Sequence, residues 1–556
     1  MSVAASAQAV APGAYLAARQ ADRNGDVEAA AARYAEALRR DPRNPALLEA
    51  GLVAAVAAGR IPEAVALATR LLGADPAHRI AHLALIAAEL AAARHDEALA
   101  RLRGSPAAFN QITASLLEGW AAFGAGDAAA AAAAFAGLDA SGLPAVLGAY
   151  HMGLLRAAQG DAAGALEAFE RATSMVSTPT SRLALAHGAA LEALDRRDEA
   201  RAVYERALAA SRLGDRAIEA ALAGLDGGTA RPPLVSDAAE GAAEALFGLA
   251  AALAGEQSRR LALTHAQLAA HLRPNLSAAR LLIGELLQAD GQQETAIRAY
   301  ELIGADDPLW VQAQIGRADA LERLERSDAA AEALRALVGR APGSVEARLA
   351  LADILRRREA FDASAEAYGE AIALLTAAGR ENWAVHYQRG IAFERARRWP
   401  EAEAEFERAL ALEPEQPLVL NYLGYSWIEL GVNLDRARAM IERAVEQRPE
   451  DGYITDSLGW VLYRMGDFAG AVTWLEKAVE LAPVDPVIND HLGDALWKVG
   501  RTREAEFQWR RARSFNPEPD VLARIRRKLA VGLDAVLAEE AAAPAAAEAA
   551  PGRDGG

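Results

Sequence analysis

The chain has 556 residues, with 59 lysines and arginines against 76 aspartates and glutamates, and no cysteine. A formal charge of −17 argues against general nucleic-acid binding, which needs a basic field to displace counterions, and the absence of cysteine excludes disulfides, thiolate metal sites, cysteine nucleophiles and cysteine-linked lipids. The longest hydrophobic stretches are alanine-dominated and interrupted by polar residues, so no membrane span is expected.

In chain order, residues 1–10 are small and uncharged and include Ala7-Gln8-Ala9, the A-x-A form of a signal-peptidase site. They read as the remnant of an export signal whose basic start and apolar core lie upstream, or equally as a frayed alanine-rich end. The upstream genomic sequence separates the two. Over 11–223 a small or apolar landmark recurs at Ala18, Leu52, Ile86, Gly119, Gly153 and Gly188, at spacings of 33 to 35. Gly160-Asp161 followed by Ala165, Phe169 and Ala172 then fixes the unit as two amphipathic helices about a turn. Six such hairpins are predicted here. Residues 224–236 hold Gly224, Gly227, Gly228, Pro232 and Pro233, lack an apolar period, and read as a joint between two arrays.

From 237 to 517 the same landmark falls at Ala250, Gly284, Ala318, Ala352, Gly390, Gly424, Gly459 and Gly493, giving eight more hairpins. The pattern is sharpest at the end: Leu492, Gly493, Leu496, Ala505, Trp509, Ala512 and Pro517 each lie 34 residues after Leu458, Gly459, Leu462, Ala471, Leu475, Ala478 and Pro483. Small residues let two helix backbones approach, bulky ones fill the space beside them, and the proline stops the second helix. Insertions near Leu375 to Glu381 and within Gly431-Val432-Asn433-Leu434 are placed in loops. Residues 518–540 have helical spacing and read as a capping helix; the Ala/Pro/Glu/Gly tail, 541–556, is expected to be disordered. The run Arg501, Arg503, Arg510, Arg511, Arg513, Arg524, Arg526, Arg527 and Lys528 reads as a solvated face.

A period of 34 with large, small, aromatic, alanine and proline landmarks in that order resembles the tetratricopeptide repeat (TPR). The resemblance implies an all-α fold: an α-α superhelix of about fourteen helical hairpins in two arrays. No catalytic constellation accompanies it. His78 and His82 lack a third ligand, His491 beside Asp490 and Asp494 reads as a polar groove residue, and no serine elbow, phosphate loop or dinucleotide fingerprint occurs. No enzyme activity, cofactor or metal is expected.

Repeats of this type present a concave surface lined mainly by the first helix of each hairpin. Placing the landmarks toward the core leaves Tyr387, Asn421, Tyr425, Tyr453, Asp456, Trp460, Tyr463, Asp490, Asp494 and Trp497 as the partner-binding groove, rich in the aromatics that make binding hot spots. Packing between repeats is the reading for Trp427 and Trp509; Tyr425, Trp460 and Trp497 stand open between packing and groove. Asp456, Asp490 and Asp494 would repel a carboxylate, so an extended or basic partner segment is the expected ligand.

Asn421 to Tyr425, Leu434-Asp435 to Ala444, Ile454 to Arg464 and His491 to Trp497 go beyond the generic repeat. They resemble a bacterial family of long envelope TPR proteins, one branch of which comprises outer-membrane lipoprotein adaptors of a periplasmic carboxyl-terminal processing protease. This implies protein or peptide partners, including a periplasmic protease or envelope assembly machinery, and a periplasmic or envelope-associated location. The chain departs from the adaptor branch in having no cysteine to lipidate. The alternatives are a cytoplasmic assembly or regulatory factor using the same groove, and repeats that assist an unrecognised enzymatic activity.

Overall fold

The computed structural model describes residues 12–138, 141–211, 214–228 and 230–542. The predicted signal remnant and most of the tail lie outside them. Among the described residues there are thirty-one α-helices and no strand. They fall in two compact units, Met1–Ala341 and Pro342–Gly556.

Unit 1 contains the hairpins α1 (Pro12–Arg23) and α2 (Val27–Arg40), α3 (Pro45–Ala57) and α4 (Ile61–Leu71), α5 (Arg79–Ala91) and α6 (His95–Gly104), α7 (Gln111–Gly124) and α8 (Ala128–Ala136), α9 (Leu143–Ala158) and α10 (Ala162–Ser174), and α11 (Ser181–Ala193) and α12 (Arg197–Ala210). A single helix, α13 (Arg216–Asp226), follows. Then come α14 (Ala238–Ala252) and α15 (Arg259–Leu272), α16 (Ser277–Ala289) and α17 (Gln293–Glu301), and α18 (Trp310–Arg323) and α19 (Ser327–Arg340). Unit 2 contains α20 (Val345–Arg357) and α21 (Phe361–Ala377), α22 (Trp383–Arg395) and α23 (Trp399–Leu412), α24 (Pro417–Leu430) and α25 (Leu434–Gln447), α26 (Gly452–Arg464) and α27 (Phe468–Leu481), and α28 (Pro486–Lys498) and α29 (Thr502–Ser514). It ends with α30 (Pro519–Val531) and α31 (Leu533–Ala542).

The last repeat shows why this sequence makes hairpins. Asp485 accepts hydrogen bonds from the amides of Val487 and Ile488 and starts α28, with Pro486 in the first turn. Gly500, at φ +85°, makes the tight turn. A Cβ on Gly493 would sit 2.4 Å from the Trp509 indole nitrogen, so only glycine lets α29 lay that ring across α28. Ala505, Trp509 and Ala512 are fully buried as a result. Gly459 meets Leu475 in the same way one repeat earlier.

The two insertions are absorbed differently. Gly431 and Asn433 both take left-handed backbone, at φ +69° and +52°, and hold the extra residue in a turn. The other insertion lengthens α21 to 17 residues, so the expectation of a simple loop there does not hold.

The larger departure concerns the joint. Helix α13 runs through Gly224, and the boundary between compact units lies at residue 341 instead of 224–236. After the joint the chain turns back on itself: α14 packs on α5, α7 and α9, and α15 packs on α3 and α5. The N-terminal array therefore does not present a wholly free concave surface. Trp120 of α7 lies flat against Gly241, where a Cβ would come within 2.1 Å of the ring. Gln267 donates to the Ala57 carbonyl at 2.9 Å, Gln292 to the Asn24 carbonyl at 3.0 Å, and Arg260 pairs with Asp22 at 3.1 Å.

Candidate functional site

In unit 2 the predicted groove residues separate into two groups. Tyr453 is exposed, and Tyr387, Asn421, Tyr425 and Trp497 are half-buried. Tyr387 stands edge-on to Tyr422, with centroids 5.7 Å apart. The Asn421 Oδ1 is buried and accepts no hydrogen bond. Tyr425 is crowded enough that burial, with Glu429 and Asp456 nearby, pushes its phenol well up.

The second group is consumed by the chain itself. Trp460 is stacked between Tyr463 at 4.7 Å and His491 at 3.9 Å and donates to Glu429 at 2.6 Å. Both rings of that stacked pair, Trp460 and Tyr463, are buried. Asp456 lies 3.0 Å from His491 Nδ1. Burial alone would lower the imidazole pKa, but the Asp456 and Asp490 carboxylates outweigh it and the net shift is upward. Trp497, half-buried in the first group, also has its indole N–H engaged, donating to Asp534 of α31 at 2.9 Å.

Asp490 and Asp494 are not open in the groove. They are buried against α30, where the Lys528 ammonium lies 2.7 Å from Asp490 and 2.7 Å from Asp494 with no exposure of its own. Arg524 reaches Asp494 at 3.3 Å and is tied to Glu540 at 2.8 Å. The expected basic segment is thus present, and it is the chain's own α30. This also corrects the reading of the arginine-rich run as wholly solvated: two of its cations are structural, because an unpaired buried carboxylate is costly and helix α30 brings the charges that satisfy it.

Unit 1 holds a site that the sequence did not point to. Arg182 of α11 grips Glu244 of α14 with both guanidinium arms, one at 2.5 Å, and Tyr150 of α9 donates to the same carboxylate at 2.9 Å. Burial works to raise the Glu244 pKa, but Arg182 and Tyr150 hold it below the ordinary value. Beside them Trp120 donates to His151 Nδ1 at 3.0 Å, and burial depresses that imidazole to about 4, keeping it neutral. Past α14 the concave wall opens into a channel of about 1220 Å³ lined from α9, α11, α13, α14 and α16. Glu244, one of two glutamates in the alanine-rich run 238–252, was the available signal; its partner lies 62 residues away.

Among the described residues no group of three or more metal-ligating side chains occurs, and no helix is long and apolar enough to cross a membrane.

Two models of the family "Tetratricopeptide repeat" match the chain, one at residues 50–111, 315–382 and 433–486, the other at 383–416. A TPR repeat-containing protein of Pseudomonas aeruginosa is 33% identical over 89 residues, 16% of this chain and 15% of its own length. The alignment thus spans well under two thirds of that relative. Similar solved structures include a tetratricopeptide repeat protein from Parabacteroides merdae, with TM-score 0.38, 14% identity, and coverage of 46% of this chain and 98% of that one. Yeast Tom70 has TM-score 0.34, 14% identity, and coverage of 96% and 97%. At such scores the fold assignment rests on the helices described above. The chain carries tetratricopeptide repeats in both of its compact units.

Proposed function

We propose that the chain is a non-enzymatic protein–protein interaction scaffold or adaptor that works in the bacterial cell envelope and holds segments of partner proteins on its concave faces. The observation that carries this reading is the strip formed by Tyr387, Asn421 and Tyr425 on α22 and α24. Tyr387, Asn421, Asp456 and Asp490 occupy one slot of successive repeats, at spacings of 34 or 35. Asp456 pairs with His491 and the Asp490 Oδ2 with Lys528, whereas among the described residues no charged group comes to the Asn421 slot and its Oδ1, like the Asp490 Oδ1, accepts no hydrogen bond. The rest of the Asn421 side chain and both tyrosines are half-exposed, so an extended partner segment laid along the strip meets a side-chain amide beside two aromatic rings that supply contact area. The envelope role rests on the family-like segment Asn421 to Phe515, and a processing protease or envelope assembly machinery is the class of partner it suggests.

The test is affinity capture from cross-linked lysate with the wild type and with Tyr387, Asn421 and Tyr425 all changed to Ala, followed by mass spectrometry. Loss of specific partners at unchanged helicity is expected. An identical partner set would count decisively against the strip. Cell fractionation tests the location, and recovery of the chain solely with cytoplasmic markers would remove the envelope part.

A further inference from the structure

The channel in unit 1 is a continuation of a surface that already holds a helix. Along α7 the wall accepts α14 at backbone contact through Gly241, and past Glu244, two turns further along α14, Phe247 and Gly248 line open space shared with Leu147 of α9 and Leu281 and Leu282 of α16. Most charged groups on this wall are engaged internally. Arg182 pairs with Glu244, Asp215 caps α13, and Asp307 accepts from Ser277 and from the Leu309 amide. Glu285, on the lining face of α16, makes no hydrogen bond or ion pair among the described residues. It reaches solvent through the channel, yet the surrounding protein desolvates it enough to raise its pKa.

We propose that this channel binds an amphipathic helical segment of a partner protein, which lays an apolar stripe against α14 and α16 and sets a lysine or arginine against Glu285. This rests on the scaffold reading above and names a second, separate surface for it. The dimensions agree: a helix about 10 Å across rising 1.5 Å per residue fills 1220 Å³ in about ten residues. Continuity with α14 favours a helix over other occupants, since the same wall is already shaped to one. A fatty acid or similar anionic amphiphile would bring its carboxylate toward an unpaired glutamate, which disfavours it.

Gly248 offers a clean test. A Cβ there meets only Leu147 Cδ2, at 3.8 Å, so Gly248→Leu projects into the channel without striking backbone, and it replaces glycine within a helix by a better helix former. The probes are a fluorescein-labelled Leu/Ala helical peptide of about 15 residues carrying one lysine, the same peptide with glutamate in that place, and a fluorescent fatty acid. Each is titrated into the full chain and followed by anisotropy. The lysine peptide is expected to bind best, to bind Gly248→Leu at least roughly tenfold more weakly, and to lose its advantage over the glutamate peptide in Glu285→Gln. Equal affinity for wild type and Gly248→Leu overturns the proposal, as does binding of the fatty acid with neither peptide bound. Should Gly248→Leu lose helicity, Leu281→Asp, at the channel wall, serves in its place with the same expectation. If partner capture depends on the Tyr387, Asn421 and Tyr425 strip but is indifferent to Gly248→Leu, the scaffold reading stands and the channel falls.

Discussion

Replacing Lys528 by methionine removes the cation between two carboxylates that have almost no contact with water: the Asp490 and Asp494 side chains are 7% and 0% exposed. Methionine keeps the length of the side chain, so the loss is one of charge. Breaking a buried pair by deleting one partner costs about 3–5 kcal/mol, because the remaining charge stays desolvated. Here Arg524 stays at 3.3 Å and the Trp509 indole N–H at 2.9 Å from Asp494, which places the expected cost at the lower end, about 3 kcal/mol. Divided by a urea m-value of about 3 kcal/mol/M, suited to a unit of this size, that is a fall in midpoint of about 1 M. Tryptophan fluorescence reads it directly, since the Trp509 indole donates to Asp494 of this cluster and Trp497 packs against Trp509.

The pH dependence supplies a check that simple misfolding would not reproduce. Burial already raises the Asp490 pKa, against the opposing pull of Lys528. Without the lysine it rises further above the unfolded value, so the protonated form folds better and the penalty shrinks as pH falls toward the usual carboxylate range. A deficit well under 1 kcal/mol at neutral pH, or one that grows in acid, would refute the assignment of Lys528 as the buried counter-ion of α28.

Arg182→Met strands Glu244 in the same way and is expected to speed hydrogen exchange of 238–252 and to cost about 3 kcal/mol. Glu244→Met leaves Arg182 at the channel and costs less; equal losses from the two would contradict the geometry. The two units are predicted to respond to pH in opposite senses. In unit 1, His151 and His187 are depressed to about 4 by burial, so the unfolded chain binds their protons more readily and stability is lost as pH falls from 6.5 toward 4. In unit 2 the raised His491 contributes stability that is present below 6.5 and is lost as pH rises through its folded value. Urea unfolding across pH 4 to 8, read by exchange in each unit, checks this, and parallel shifts in both units would sink it.

The repeat was legible because its physics is local. Gly459 and Gly493, the residues 16 positions on, and the prolines that end each second helix all act within one hairpin, so the period alone placed fourteen hairpins. What escaped depends on contacts between distant positions. Glu244 and Arg182 are 62 residues apart and Lys528 and Asp490 are 38 apart, and a charged residue that pairs in the interior looks in sequence like one that faces water. The aromatics show the same limit: Tyr463 and Trp497 occupy one slot of successive repeats, 34 residues apart, yet one is stacked on Trp460 and the other bonds to α31. The return of α14 across α7 left only Gly241 beside a run of alanines as its trace, a pattern that any alanine-rich helix shares.

The most direct test of the account uses the absence of cysteine. A single cysteine in place of Leu282, on the channel wall, can be titrated with a maleimide in the free chain and again after the captured partner is added. The account predicts ready labelling in the free chain and loss of most of that reactivity with the partner bound. Unchanged labelling in the fully bound chain would contradict it.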